Sequence, residues 1–195
     1  MSNRPITDTW FLARAKLRDG KKFYGAYPGG FLERARVLLG ASINEPILHV
    51  CGGMARFYPY ARGFGPNDWT MDLDPKTEPD ILQDARDEWP RGMGRLSDDG
   101  GVKLETQFRA YLIDPPYSEL DARHYLDGNG EKSYPLPNLL IKRAFEVMEP
   151  GQKVGILHYM VPAEPKNGKI VAEIGIIVGT NNRIRTFTVI EKLSN

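Results

Sequence analysis

The sequence contains a single cysteine, Cys51, among its 195 residues. One thiol excludes an internal disulfide and a cysteine-based zinc cluster, and no metal site is expected. No apolar run is long enough to cross a bilayer. The opening residues, MSNRPITDTWF, lack the hydrophobic centre of a signal peptide. Together these absences predict a soluble, cytoplasmic protein with no membrane partner. Net charge is also scarce, at +1. That excludes an indiscriminate polyanion binder and leaves room only for a local basic face. The charge is unevenly spread: the first 40 residues hold eight Lys/Arg against three acids, and Asp68 to Glu105 is acidic. What remains is ordinary globular composition, with 41% hydrophobic and 26% charged residues, at a length suited to one domain.

Periodicity orders the chain. FLERARVLL over 31–39 has helical spacing and stops at Gly40. Ile47–Val50 is a short buried strand running into Cys51-Gly52-Gly53. Met54 to Tyr60 can open a helix that Pro59 limits. Further strands are read at Trp69–Met71, Asp80–Gln83, Phe108–Ile113 and Val154–Tyr159, with an amphipathic helix at Leu139–Met148. Ala172–Val178 and Ile184–Glu191 form a hairpin across Gly179-Thr180-Asn181-Asn182. Long crossovers between the early strands imply parallel pairing with helices on both faces, and the hairpin adds an antiparallel edge. Residues 118–136, rich in Gly, Asp, Asn and Ser, read as a mobile loop and a candidate lid carrying His124 and Tyr125.

The chemistry collects where these strands end. In open α/β sheets that edge binds ligands. Gly52 and Gly53 permit close backbone approach there, although no full G-x-G-x-x-G supports a dinucleotide site. Asp72 ends the second of these strands, about 20 residues on, where an acid can accept hydrogen bonds from ribose hydroxyls. Asp84 ends the third and can reach an adenine amino group. The buried run Ala110–Ile113 ends in Asp114-Pro115-Pro116-Tyr117. An aromatic amine is a poor nucleophile because its lone pair is delocalised. Acceptors on both N–H bonds favour a pyramidal nitrogen, and the Asp114 carboxylate and the Pro115 carbonyl can supply them, with Pro116 fixing the angle. Tyr117 can stack on the base, worth roughly 1–3 kcal/mol. Cys51 reads as a small residue at the core edge, since nothing nearby lowers its pKa. Arg183 and Arg185 read as a solvated face able to meet phosphates, and His158 and Tyr159 end a strand on the same edge.

These motifs resemble the class I S-adenosylmethionine-dependent methyltransferases that methylate amino groups in DNA. The D-P-P-Y is similar to that group's catalytic motif, and Ile47–Gly53 stands where its cofactor motif lies. Tyr27-Pro28-Gly29-Gly30-Phe31-Leu32 resembles the additional motif flanking the methionine end of the cofactor. The resemblance implies a Rossmann-like, seven-stranded, mostly parallel α/β sheet with a terminal antiparallel hairpin. It places an amino-terminal extension at 1–22 and the methyltransferase domain at 23–195. It implies catalytic Asp114, Pro115, Pro116 and Tyr117, with the cofactor held by Tyr27, Pro28, His49, Cys51, Gly52, Gly53, Asp72 and Asp84. His49 stands where the family usually has an acid, and is read as a buried, hydrogen-bonded residue rather than a general base. The segment for a target-recognition domain is short. That implies weak DNA recognition, a homodimer or separate specificity partner, or a smaller target.

The expected activity is methyl transfer from S-adenosylmethionine to an exocyclic amino group, adenine in DNA first. An RNA base or the cytosine amino group is the alternative. A non-catalytic cofactor-binding or scaffold subunit is the alternative of another class.

Overall fold

The computed structural model describes residues 4–14, 27–57, 62–96, 102–122, 134–179 and 183–194. Its strands are β1 (Ile6–Leu12), β2 (Ile47–Val50), β3 (Trp69–Asp72), β4 (Ile81–Leu82), β5 (Met93–Leu96), β6 (Val102–Thr106), β7 (Ala110–Ile113), β8 (Lys153–His158), β9 (Gly168–Val178) and β10 (Ile184–Lys192). The helices are α1 (Phe31–Leu39), α2 (Glu119–Ala122) and α3 (Pro137–Val147).

Eight strands form one sheet in the order β1-β9-β10-β8-β7-β2-β3-β4. β10 runs antiparallel to both its neighbours, and every other pairing in the sheet is parallel. From β2 the chain steps outward to β3 and β4, then returns to β7 on the opposite side. The switch point therefore lies between β2 and β7, where the strand ends leave a crevice.

Every residue of β2 and β7 is buried, as expected for strands covered on both faces. Alternation divides them between two cores. Ile47, Ala110 and Leu112 face the cluster containing Phe31, Ala35 and Leu39 of α1. Leu48, Val50, Tyr111 and Ile113 face the cluster containing Leu140, Ile141 and Ala144 of α3. Pro137 at the first turn of α3 suits its start, because the missing N–H is unpaired there in any helix. Gly40 ends α1 at φ +69°, and the next amide, of Ala41, bonds back to the Arg36 carbonyl at 3.1 Å.

The architecture matches the expected Rossmann-like sheet with helices on both faces, with three differences. The sheet has eight strands rather than seven. The extra strand is β1, which falls within the segment set apart as an extension and pairs in parallel with β9. The hairpin therefore lies one strand inside the edge. Met54 to Tyr60 gives only a 3-10 turn at Ala55–Phe57, with Tyr58 to Tyr60 outside the described residues. Finally, β5 and β6, which the sequence reading passed over, pair as a separate two-stranded ribbon.

Candidate active site

The residues singled out from the sequence come together at one edge. Cys51 to Gly53, Asp84 and the tetrapeptide follow β2, β4 and β7, and Asp72 is the last residue of β3, so all stand at the carboxyl ends of four adjacent parallel strands. The tetrapeptide is anchored by the sheet itself: the Asp114 amide donates to the Val50 carbonyl at 3.1 Å, extending the β7–β2 pairing by one residue. Pro115 is buried, and Asp114, Pro116 and Tyr117 are partly buried.

The Tyr117 hydroxyl donates to Asp114 Oδ1 at 2.6 Å. No second hydrogen bond to this carboxylate occurs among the described residues. Burial pushes the Asp114 pKa up to about 6, against the opposing pull of Arg185 and of the Tyr117 hydrogen bond. Tyr117 is packed by rings: Tyr159 lies 4.6 Å away, tilted by 49°, and His158 lies edge-on at 5.5 Å. The Arg185 guanidinium sits over the Tyr117 ring, 5.1 Å from its centre. The His158 Nδ1 accepts from the Met160 amide at 3.0 Å, so the proton lies on Nε2, which is buried without a partner among the described residues. Burial lowers the His158 pKa, keeping the ring neutral.

The turn after β2 is tightly built. Cys51 adopts φ +54° and Gly53 φ +49°, the left-handed region that L side chains rarely enter. A Cβ on Gly52 would lie 2.9 Å from the His49 carbonyl oxygen and 3.2 Å from Thr70 Cγ2, so only glycine fits. Burial pushes the Cys51 thiol well up, with Asp72, Asp114 and Asp84 adding to the effect, which leaves it a neutral packing group.

Asp72 closes the turn from the neighbouring strand. Its Oδ2 accepts from the Gly53 amide at 2.9 Å and its Oδ1 from the Asp74 amide at 3.0 Å. Burial raises its pKa, opposed by these bonds. A carboxylate offers about four acceptor positions, so Asp72 keeps capacity for a further donor. Asp84 is engaged with its own neighbour: Arg86 Nη2 donates to Oδ2 at 2.6 Å, and the Arg86 amide donates to Oδ1 at 3.0 Å.

His49 and Tyr27 belong to a second, fully buried constellation under the site. His49 Nε2 lies 3.2 Å from Asp68 Oδ2, and Nδ1 lies 3.4 Å from the Tyr27 hydroxyl. Asp68 also accepts from Arg36 Nη2, from the Gly65 amide at 2.6 Å and from the Ile47 amide at 2.8 Å. Arg36 also donates to the carbonyls of Gly63, Ser42 and Glu45. His49 is thus the buried, hydrogen-bonded residue that the sequence suggested. Tyr27 stacks on Phe31 at 5.4 Å. Burial pushes its pKa well up, and Asp114, Cys51, Asp68 and Asp72 all add to the shift, so it stands between this constellation and the site. Pro28 is buried beside it.

The sequence reading missed Asp68 and Arg36, whose partners lie far off in the chain. It also left Arg185 on a solvated face. His124 and Tyr125 of the expected lid lie outside the described residues, and no group of metal-binding side chains occurs among those that are described.

No family model matches the chain, and no curated protein does either. Solved structures do. The chain is similar to TrmN from Thermus thermophilus, with a TM-score of 0.56 and 17% identity, covering 86% of this chain and 49% of that one. It is also similar to an rRNA methylase from Streptococcus thermophilus, with a TM-score of 0.48 and 10% identity, covering 83% of this chain and 95% of that one. The fold is the Rossmann-like methyltransferase fold. The chain spans about half the length of the Thermus TrmN structure.

Proposed function

We propose that this protein transfers a methyl group from S-adenosylmethionine to an exocyclic amino group of a nucleobase, adenine in DNA first. The observation that carries the reading is the Asp114 carboxylate. It is anchored at the switch point of a methyltransferase fold, bonded through one oxygen to Tyr117, with its other oxygen taking no hydrogen bond among the described residues. The residues at the edge suit the cofactor. The Gly52–Gly53 turn holds the end of β2 in a shape that only glycine allows at Gly52, and Asp72 retains acceptor capacity for ribose hydroxyls. When bound, the cofactor supplies an electrophilic methyl group, so no metal or strong base is required of the protein.

The chain's own groups then do three things. Asp114 and the Pro115 carbonyl accept the two amine N–H bonds and orient the nitrogen. Tyr117, held in place by Tyr159, His158 and Arg185, fixes the Asp114 carboxylate through its hydroxyl and offers the base the ring surface these groups leave. Once the nitrogen has gained a bond it becomes strongly acidic, and its proton passes to Asp114. A carboxylate near pKa 6 is ionised at pH 7 yet basic enough to hold that proton briefly. Because the ionised form is the active one, transfer falls off as pH drops through about 6.

A second reading takes an RNA base or another unpaired base as substrate. The β5–β6 ribbon is a small insertion between β4 and β7, and a base already unstacked needs no large segment to read and open a duplex. Incubation with tritiated cofactor against duplex DNA, single-stranded DNA, RNA and protein tests both. Label in adenine of either nucleic acid supports the proposal, and the responding polymer selects the reading. Cofactor binding with no incorporation into any of the four overturns it in favour of a scaffold role.

A further inference from the structure

We infer that Arg185 is a positioning residue of the Asp114 loop, one that clamps the Tyr117 ring and balances the Asp114 charge from the terminal hairpin. The inference rests on the functional reading above only for its consequence on catalysis. Arg185 stands at the start of β10. The register pairs the next residue, Thr186, with His158 at the end of β8. Antiparallel β10 therefore delivers its opening residues to the same edge at which the parallel strands finish.

The guanidinium lies 5.1 Å from the centre of the Tyr117 ring, and the Tyr117 hydroxyl holds Asp114 Oδ1 at 2.6 Å. Cation, ring and carboxylate thus form a continuous series. Arg185 Nε is buried without a hydrogen-bond partner among the described residues. A dry, unpaired donor disfavours folding, so packing alone gives no reason for an arginine here. Burial pulls the Arg185 pKa down, but Tyr117, Asp114 and Tyr159 outweigh it and hold the charge in place.

The titratable groups around Asp114 come from four elements. They are Tyr117 on its own loop, Arg185 on β10, Tyr27 ahead of α1 and Cys51 after β2. Burial keeps Tyr27 and Cys51 neutral, so Arg185 supplies the positive charge. Arg183, two residues away, is different: it is exposed, donates to the Tyr159 hydroxyl at 3.2 Å and faces Asp121.

The test uses the full chain with 13C-labelled aspartate carboxyls, the Asp114 signal being assigned by its loss in Asp114→Asn. The Asp114 midpoint is expected near 6 in the unaltered protein. Arg185→Met and Arg185→Gln move it upward by about one unit, and Arg185→Lys returns it most of the way. Arg183→Met leaves it in place. The acid limb of methyl transfer follows the same shifts, so Arg185→Gln is about fivefold slower at pH 6 and recovers by pH 9. The Gln and Lys variants keep a polar head and decide the matter if the Met variant does not fold. A midpoint unmoved in Arg185→Gln, or a Lys variant no better than Gln, overturns the inference. Failure of the unaltered protein to methylate any nucleic acid overturns the functional reading instead, while the carboxyl titration still judges Arg185.

Discussion

Two carboxylates beside β2 have opposite surroundings. Asp68, under the sheet edge, is fully satisfied: Arg36, His49 and the amides of Gly65 and Ile47 all donate to it. Burial alone would raise its pKa, but the bonds from His49, Arg36 and Gly65 win and hold it below the usual range. Asp114, at the crevice, has one donor among the described residues, and burial wins, lifting it to about 6. The same side chain is a rivet in one place and a poised acceptor in the other. The number of donors aimed at each carboxylate makes the difference. A saturated carboxylate fixes the backbone and has little left for a ligand. An under-satisfied one costs stability and keeps the capacity to bind.

The contrast can be broken at several points. Asp114→Ala is expected to lower transfer by about a thousandfold or more, the scale of losing a preorganised polar group, while cofactor affinity measured by calorimetry stays within about threefold. Loss of both together would remove Asp114 from the catalytic role. Arg36→Met leaves Asp68 buried without its main cation and should cost about 3–5 kcal/mol in urea unfolding. The pH dependence sharpens the same point. Asp68 has a depressed folded pKa, so its contribution is present above the unfolded value near 4 and is lost as pH falls through the folded one.

Asp114 has the reverse sign. Its folded pKa is raised, so stability declines as pH climbs from about 4 to about 6, and the charged form costs stability above that. Asp114→Asn should therefore stabilise the protein at pH 7 by about 1–2 kcal/mol while removing activity. The figure is discounted because the side chain is partly solvated. A lower melting temperature for this variant would contradict the strained-acceptor account. Tyr117→Phe is the mildest change. It removes the Tyr117 hydrogen bond to the carboxylate, and the acid limb of transfer should move up by about half a unit to one unit.

The sequence made the site legible wherever a local pattern carried it. The helical spacing of Phe31 to Leu39 matches α1 residue for residue. The apolar runs ending at Val50 and Ile113 were legible because a fully buried parallel strand announces itself by composition, while those at Met71 and Leu82 belong to strands that are only partly buried. The rest depends on distant pairing. β1 has only Trp10 and Leu12 buried among ITDTWFL, too weak an alternation to signal an edge strand. Asp68 gathers donors from Arg36 and His49, 32 and 19 residues earlier in the chain. No spacing rule links them. Arg185 reads as one charge on a strand until the β8–β10 register sets it over Tyr117. Asp84 was legible as a strand-ending acid, but its partner Arg86, two residues on, was not foreseen to occupy it.

The outermost strand carries a consequence for how the molecule is made. β1 is the first described strand to leave the ribosome, yet among the described residues its one ladder partner is β9, so Ile6 waits for Ala172 and Leu12 for Val178. Closing so wide a span is slow. During synthesis β1 has no docking edge, and this border of the sheet is sealed only when β9 has been made.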